Sequence, residues 1–382
     1  MKVKCLTLVF CLIVLFSMFL CTSTNVVKLG YADEYKCKSS ILIDAGSGKV
    51  LYQENINEKL PIASIVKLMT LYLIFEALDN NQISENDLMQ VSEYASTMGG
   101  SQLFLDANTS HKVSDLIKSV VIASANDSAV VLAENLAGSE ENFVVKMNDK
   151  AKELEMDDTL FVDSTGLNEE GYSTASDVAI LSKNVLTNKH YQKYSKIWLD
   201  SYTHPSGRDT ELANTNKLLR KYENCIAGKT GTTEKAGFCY TSLSNNNGFE
   251  LICVVLGSKT TSERFDIAKE MFLTGYANYK YQKLYEKDSF YKDIKINKAK
   301  EVNVKTYFKD DVGFVVGKNQ NVEYNEVFEK SNIEAPLKAG TIIGTLEIVI
   351  DDEVVAKSDV IVKDDVKMMG FVDVIKKITE KW

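Results

Sequence analysis

Pro61-Ile62-Ala63-Ser64-Ile65-Val66-Lys67-Leu68-Met69-Thr70, continued by Leu71, Tyr72, Leu73, Ile74 and Phe75, is the stretch on which the reading of this chain turns. From Leu60 to Phe75 nearly every residue is apolar or small, which predicts a helix buried on all sides. Lys67 is its only charge, and an unpaired ammonium in such a place is costly. Ser64 stands three residues earlier, at the expected helix start, so its hydroxyl and the Lys67 amine share one face. Desolvation lowers a lysine pKa, so a neutral amine can accept the serine proton, and a helix N-terminus favours an oxygen anion. Ser64 therefore reads as a nucleophile and Lys67 as its base. Ser-x-x-Lys by itself also occurs at many surface helix turns, and the rest of the chain has to decide.

The 382 residues leave room for two or three domains, with 45% hydrophobic residues to fill their cores. Lys2 and Lys4 precede an apolar run from Cys5 to Cys21, and the polar stretch after it ends Leu29-Gly30-Tyr31-Ala32. This pattern predicts a signal peptide over residues 1–32, cut after Ala32, with an uncleaved anchor helix as the alternative; either way the body is exported. The leader carries three lysines, Lys2, Lys4 and Lys28, and no acid, so without it the formal charge of -9 becomes -12. So acidic a body is a poor nucleic-acid binder. Cys5, Cys11 and Cys21 fall in the leader; Cys37, Cys225, Cys239 and Cys253 remain, without a Cys-x-x-Cys, and the last three sit in apolar or strand-like contexts, so buried thiols are expected rather than a disulfide framework. His111, His190 and His204 lack metal-ligand spacing, so the chemistry is expected to need neither zinc, nor a Ser-His-Asp triad, nor any cofactor.

Along the chain, Ser40–Asp44 and Lys49–Tyr52 flank a glycine turn and predict a hairpin. The pattern from Val113 predicts a helix leading to Ala123-Ser124-Ala125-Asn126-Asp127, and a second helix runs on to Gly138. Ser124 and Asn126 thus lie in a short loop between apolar helices, where polar side chains can face a cavity. Phe143–Leu154 is expected to be helical, Phe161–Leu167 a loop, and Ser173–Asp177 the cap of a helix Val178–Leu186. Ile226-Ala227-Gly228-Lys229-Thr230-Gly231-Thr232-Thr233 enters a β-hairpin, and glycine at 231 is expected to leave room for a ligand backbone. A helix Glu263–Tyr276 closes this unit. From about Tyr279 short alternating strands, Glu301–Val304, Val312–Val316, Thr341–Ile350 and Val354–Val362, predict a small all-β domain, a sandwich. Met368–Trp382 is amphipathic and too short to span a bilayer; it is expected to lie on a membrane surface or to dock on the β domain.

Ser64-Ile65-Val66-Lys67, Ser124-Ala125-Asn126 and Lys229-Thr230-Gly231 follow one another at separations of 60 and 105 positions. Together they match the three-motif pattern of penicillin-recognising serine enzymes. With Ile43-Asp44-Ala45, Pro61-Ile62-Ala63-Ser64, Ser173-Thr174-Ala175 and the β-rich last third, the chain from about residue 37 to its end resembles the low-molecular-weight D-alanyl-D-alanine carboxypeptidases of bacterial cell-wall metabolism. The resemblance implies an α/β (α+β) fold: a β-lactamase/transpeptidase-like catalytic domain, with an antiparallel sheet flanked by helices and an all-helical subdomain, over residues 33–278. A β-sandwich over 279–363 and an amphipathic helix over 364–382 follow.

It also implies roles. Ser64 attacks the carbonyl between two terminal D-alanines of a peptidoglycan stem peptide and Lys67 takes its proton. Ser124 relays a proton to the leaving amine, Asn126 holds the substrate amide, and Lys229 with Thr230 binds the terminal carboxylate. The backbone N–H groups of Ser64 and Thr232 hold the oxyanion, and Gly231 lines the strand. Arg264 assists carboxylate recognition, unless it is an ordinary surface arginine. Expected partners are stem peptides ending in D-Ala-D-Ala, β-lactams, and the outer face of the cytoplasmic membrane. Two departures stand out: Ala227 precedes Gly228, where family members usually have glycine and then an apolar residue, and Ala125 replaces a common glycine. A serine β-lactamase shares the three motifs, but Glu169-Glu170 lack the asparagine of a deacylating Glu-x-x-x-Asn loop. A catalytically silent wall protein is the other alternative.

Overall fold

β1 (Ser39–Asp44) and β2 (Val50–Glu54) form the expected antiparallel hairpin, with Leu42 opposite Tyr52. The structure is a computed structural model, and it describes residues 35–301 and 303–379. The leader expected at 1–32 and the last three residues lie outside the described residues.

The apolar run after Leu60 corrects one expectation. A 3-10 turn, Ala63–Val66, comes first, and the α-helix α1 begins only at Lys67 and ends at Asp79. Nor is α1 buried on every side, since Tyr72 and Glu76 are half-buried. β3 (Leu88–Gln90) and β4 (Ser110–Lys112) pair around a short α2 (Glu93–Ser96). α3 (Val113–Ile122) and α4 (Asn126–Ala137) are the two apolar helices, and Gly138, at φ +83°, ends the second. α5 (Glu140–Glu153) starts before the expected Phe143 because Ser139 caps it, accepting from the Asn142 N–H. α6 (Ala175–Leu186) is capped by Thr174, which accepts from the Asp177 N–H. α7 (Lys189–Ser195) and the hairpin β5 (Leu199–Thr203)–β6 (Asp209–Ala213) fall in a stretch for which the sequence reading proposed no element.

β7 (Cys225–Thr233), β8 (Gly237–Asn246) and β9 (Phe249–Ser258) complete a five-stranded antiparallel sheet in the order β2-β1-β9-β8-β7. Side-chain alternation gives it two apolar faces. Ile41, Ile43, Ile252 and Val254 join one core with α1 and α3–α6. On the other face Leu42 and Leu251 meet Gly275, and Cys253 meets Met271, both on α8 (Thr261–Asn278). Thr260 and Glu263 cap α8 reciprocally. β7 is the edge strand, so one row of its backbone groups faces outward.

The last third is all-β until its final helix, as the alternation predicts. β10 (Tyr279–Tyr285) pairs with β13 (Val312–Gly317), and β11 (Phe290–Ile294), β12 (Val304–Phe308), β14 (Asn325–Lys330), β15 (Ile342–Ile350) and β16 (Glu353–Ile361) form a sheet ordered β11-β12-β16-β15-β14. Phe308, Val312, Phe314, Leu346, Ile348 and Val360 fill the space between the two sheets. The strand expected at Glu301–Val304 instead starts at Val304, because Val304, Thr306 and Phe308 are the inward residues. Lys49 Nζ donates to the Val315 carbonyl at 3.1 Å, tying the β1–β2 turn to β13. The C-terminal helix, α9, is described over Phe371–Thr379.

Candidate active site

Ala63 stands at φ +49°, left-handed for a residue with a side chain, and delivers Ser64 in the tight turn ahead of α1. Two glycines make this turn possible. A Cβ on Gly231 would lie 2.6 Å from the Ile62 carbonyl and 3.1 Å from the Ser64 N; one on Gly166 would lie 2.0 Å from the Ala63 carbonyl. The space at Gly231 is therefore taken by the protein's own nucleophile turn. This corrects the expectation that it is kept for a ligand backbone.

Lys67 is 0% exposed. Its Nζ lies 2.9 Å from Ser64 Oγ and donates to the Thr165 carbonyl at 2.7 Å. Burial lowers its pKa to about 7, against the opposing pull of Asp163 and Asp127. A substantial fraction of the amine is thus neutral near pH 7, with a lone pair for the Ser64 proton. The carbonyl that holds it is itself held. Asp163 accepts from the N–H groups of Thr165, Gly166 and Asn168, at 3.2, 2.6 and 2.8 Å. Glu140 accepts from the Ser164 N–H and hydroxyl, and Thr70 donates to the Ser164 carbonyl at 2.6 Å. Sequence reasoning took this segment for a plain loop; the signal available was Asp163-Ser164-Thr165-Gly166, an aspartate placed to bond backbone two and three residues on.

Ser124 and Lys229 form a second hydroxyl–amine pair. Lys229 Nζ donates to Ser124 Oγ at 2.7 Å and to the Thr230 carbonyl at 2.8 Å. Burial holds its pKa well below the usual lysine value, with further repulsion from Lys67 and Arg264. Ser124 itself is left-handed, at φ +63°, a strained conformation of the sort that clusters at functional sites. Asn126, the first residue of α4, is hooked to the loop before it. Its N–H donates to the Ser101 carbonyl at 2.7 Å and its Nδ2 to the Gly99 carbonyl at 2.6 Å, while its Oδ1 is buried without a protein partner. Asp127 fixes the same loop, accepting from the Leu103 and Leu105 N–H groups.

Arg264 is 6% exposed, so it is no surface arginine. Its Nη1 donates to the Gly231 carbonyl at 3.0 Å, to Thr232 Oγ1 at 2.9 Å and to the Cys239 carbonyl at 3.2 Å. Among the described residues it makes no ion pair. Lys67, Lys229 and Arg264 thus place three buried basic groups in the site, Lys67 at Ser64, Lys229 at Ser124 and Arg264 at Thr232, an arrangement suited to an anion. Glu169, by contrast, accepts from the Lys235 N–H at 2.8 Å, and Glu170 pairs on the surface with Lys235. Cys37, Cys225, Cys239 and Cys253 are all free thiols. Among the described residues no three His, Cys, Asp or Glu side chains cluster as metal ligands.

A serine–lysine pair at a helix start, facing a second serine–lysine pair beside an edge strand, defines a penicillin-recognising serine acyl-transfer enzyme. Residues 26–260 match the D-alanyl-D-alanine carboxypeptidase family, and residues 279–368 match the C-terminal domain of penicillin-binding protein 5. The chain is 37% identical to the D-alanyl-D-alanine carboxypeptidase DacF of Bacillus subtilis, covering 91% of this chain and 90% of that one. It is 31% identical to the D-alanyl-D-alanine carboxypeptidase DacC of Escherichia coli, over 89% of this chain and 86% of that one. Among solved structures it is similar to PBP3, a peptidoglycan synthesis regulatory factor from Streptococcus pneumoniae, with TM-score 0.73, 26% identity and coverage of 87% and 100%. It also resembles penicillin-binding protein 5 from Haemophilus influenzae, with TM-score 0.68, 27% identity and coverage of 88% and 99%. The chain belongs to the D-alanyl-D-alanine carboxypeptidase family, as a low-molecular-weight penicillin-binding protein and serine-type D-Ala-D-Ala carboxypeptidase that acts on peptidoglycan outside the cytoplasm.

Proposed function

We propose that Ser64 is the residue acylated in this reaction and that Lys67 is its base. The observation that carries the reading is the 2.9 Å contact of a fully buried Lys67 Nζ with Ser64 Oγ. Ser64 Oγ attacks the carbonyl of the penultimate D-alanine while its proton passes to neutral Lys67. The oxyanion forms between the Ser64 and Thr232 N–H groups, a donor pair of the kind whose loss costs about 10²–10³ in rate. The C–N bond then breaks. Ser124, bonded to Lys229, passes a proton to the departing D-alanine amine, and water later releases the shortened peptide from Ser64.

Asn126 Oδ1, buried and without a protein partner, accepts the substrate amide N–H. Lys229, Thr230 and Arg264, the last acting beside Thr232, favour the terminal carboxylate, and Gly231 serves by admitting the nucleophile turn. β-Lactams acylate the same Ser64.

The test is Ser64→Ala beside wild type, with a fluorescent penicillin and with release of D-alanine from diacetyl-Lys-D-Ala-D-Ala. The reading expects label and release from wild type and neither from the variant; label on Ser64→Ala overturns it.

The proposal extends to the whole chain: residues 1–32 a cleaved leader, 33–278 the catalytic domain, 279–363 the β domain and 364–382 an interfacial helix at the outer face of the cytoplasmic membrane. Met368, Phe371, Val372 and Ile375 are exposed apolar residues at this end, Phe371 by 81%, which supports that reading. Among the described residues no helix is long and apolar enough to cross a membrane. Co-sedimentation with anionic vesicles, lost in Phe371→Asp, is the expected result.

A further inference from the structure

The outer edge of β7 is closed at one end. Alternate carbonyls of an edge strand face away from the sheet, and on β7 these begin at Ile226, Gly228 and Thr230. The Ile226 carbonyl accepts from Ser195 Oγ at 2.8 Å and the Gly228 carbonyl from Tyr191 OH at 2.9 Å, both from α7. The Thr230 carbonyl accepts from Lys229 Nζ. Tyr191 is wholly buried, so its ring fills the place that another strand would take beside Gly228. A peptide that binds by adding a strand finds no free edge on the N-terminal side of Thr230.

This matters because of the direction in which substrate must lie, an argument that rests on the reading of the site given above. With the scissile carbonyl at the Ser64 and Thr232 N–H groups and the terminal carboxylate at Lys229 and Thr230, the peptide runs antiparallel to β7. Its C-terminal direction points toward Gly228. Any residue added after the terminal D-alanine would have to enter where Tyr191 sits.

We infer that α7, through Tyr191 and Ser195, is the stop that makes this site act only on a C-terminal residue. Lys229 and Arg264 favour a carboxylate at that position, and α7 denies passage to a longer chain. Tyr191 and Ser195 are specificity-determining residues that need not touch the scissile bond.

The full-length protein can be given two peptides, diacetyl-Lys-D-Ala-D-Ala and the same peptide extended by a C-terminal glycine. Wild type is expected to release D-alanine from the first and no D-Ala-Gly from the second. Tyr191→Ala, which uncovers the Gly228 carbonyl, is expected to raise hydrolysis of the extended peptide at least about tenfold, with penicillin labelling reporting that the variant is folded. If that variant takes no label, Tyr191→Val replaces it: the smaller side chain gives up the place of the ring beside Gly228, and the extended peptide should compete more strongly with penicillin than it does on wild type. Wild-type cleavage of the extended peptide at a rate close to that of the short one overturns the inference. So does a labelled Tyr191→Ala that leaves the extended peptide uncut, or a labelled Tyr191→Val with unchanged competition. Absence of penicillin label on wild type is a different result, which would defeat the reading of the site itself.

Discussion

The catalytic body and the β domain treat charge in opposite ways. Around Ser64 the fold buries Lys67, Lys229 and Arg264 together and holds Ala63 and Ser124 in left-handed conformations. In the β domain the polar side chains found fully buried are Thr306 and Ser358, and the ion pairs, such as Lys283–Asp311 and Lys338–Asp365, stand at the surface. Burying unpaired cations works against folding. The first region therefore gives up stability for a reactive serine, while the second keeps its charges at the surface around an apolar core.

The largest effect expected from breaking this contrast is at Lys67. Lys67→Met removes the base and should lower penicillin acylation by about 10²–10⁴-fold. Because it also removes a buried amine, its melting temperature should not fall below wild type by calorimetry. A variant that loses both acylation and stability would mean that the amine is structural.

Asn126→Ala comes next. It deletes the unpartnered Oδ1 and the hook to Gly99, and a hydrogen bond of this kind is worth about 1–3 kcal/mol, so kcat/KM should drop about 10–100-fold.

Titration sharpens the same contrast. Acylation needs neutral Lys67, so its rate should climb from pH 6 to pH 8 with a midpoint near the pKa of about 7. The stability sign follows from the same shift. Between about pH 7 and the ordinary lysine value the unfolded chain holds a proton on this residue that the folded chain does not. Stability from Lys67 therefore rises with pH across that window, and below it the penalty is full. Lys67→Met should flatten that slope in denaturant titrations.

The smallest effects on chemistry belong to the β domain. Phe308→Ala, in the centre of its core, should cost about 3–5 kcal/mol of stability yet leave the acylation rate of the folded protein at the wild-type value. Lys283→Ala, at an exposed ion pair, should change neither acylation nor melting temperature measurably.

What the sequence disclosed follows the same division. A lone lysine in an apolar run is a conflict between pattern and charge, and such conflicts mark function; Ser64 and Lys67 stand out for that reason, Ser124, Asn126 and Lys229 through the spacing of their motifs and the family resemblance, and the β1–β2 hairpin and the cap within Ser173–Asp177 through their turn and capping residues. The entry to the nucleophile turn was hidden. Nothing in Ala63 announces a positive φ, because that angle is imposed by the backbones that meet at Gly166 and Gly231. The Asp163–Thr165 anchor was missed because its purpose depends on a lysine almost a hundred residues away. α7 and β5–β6 were missed because they have no apolar period of their own, and their inward residues are set by what they pack against. β11 and β14 are edge strands with mostly exposed residues, so tertiary pairing and not alternation defines them.

The measurement closest to the central claim is peptide mapping by mass spectrometry after brief exposure of the full-length protein to benzylpenicillin at pH 7.5. The account predicts one adduct, on the peptide that contains Ser64. An adduct on Ser124 or on any other residue, or an unmodified protein, would contradict it.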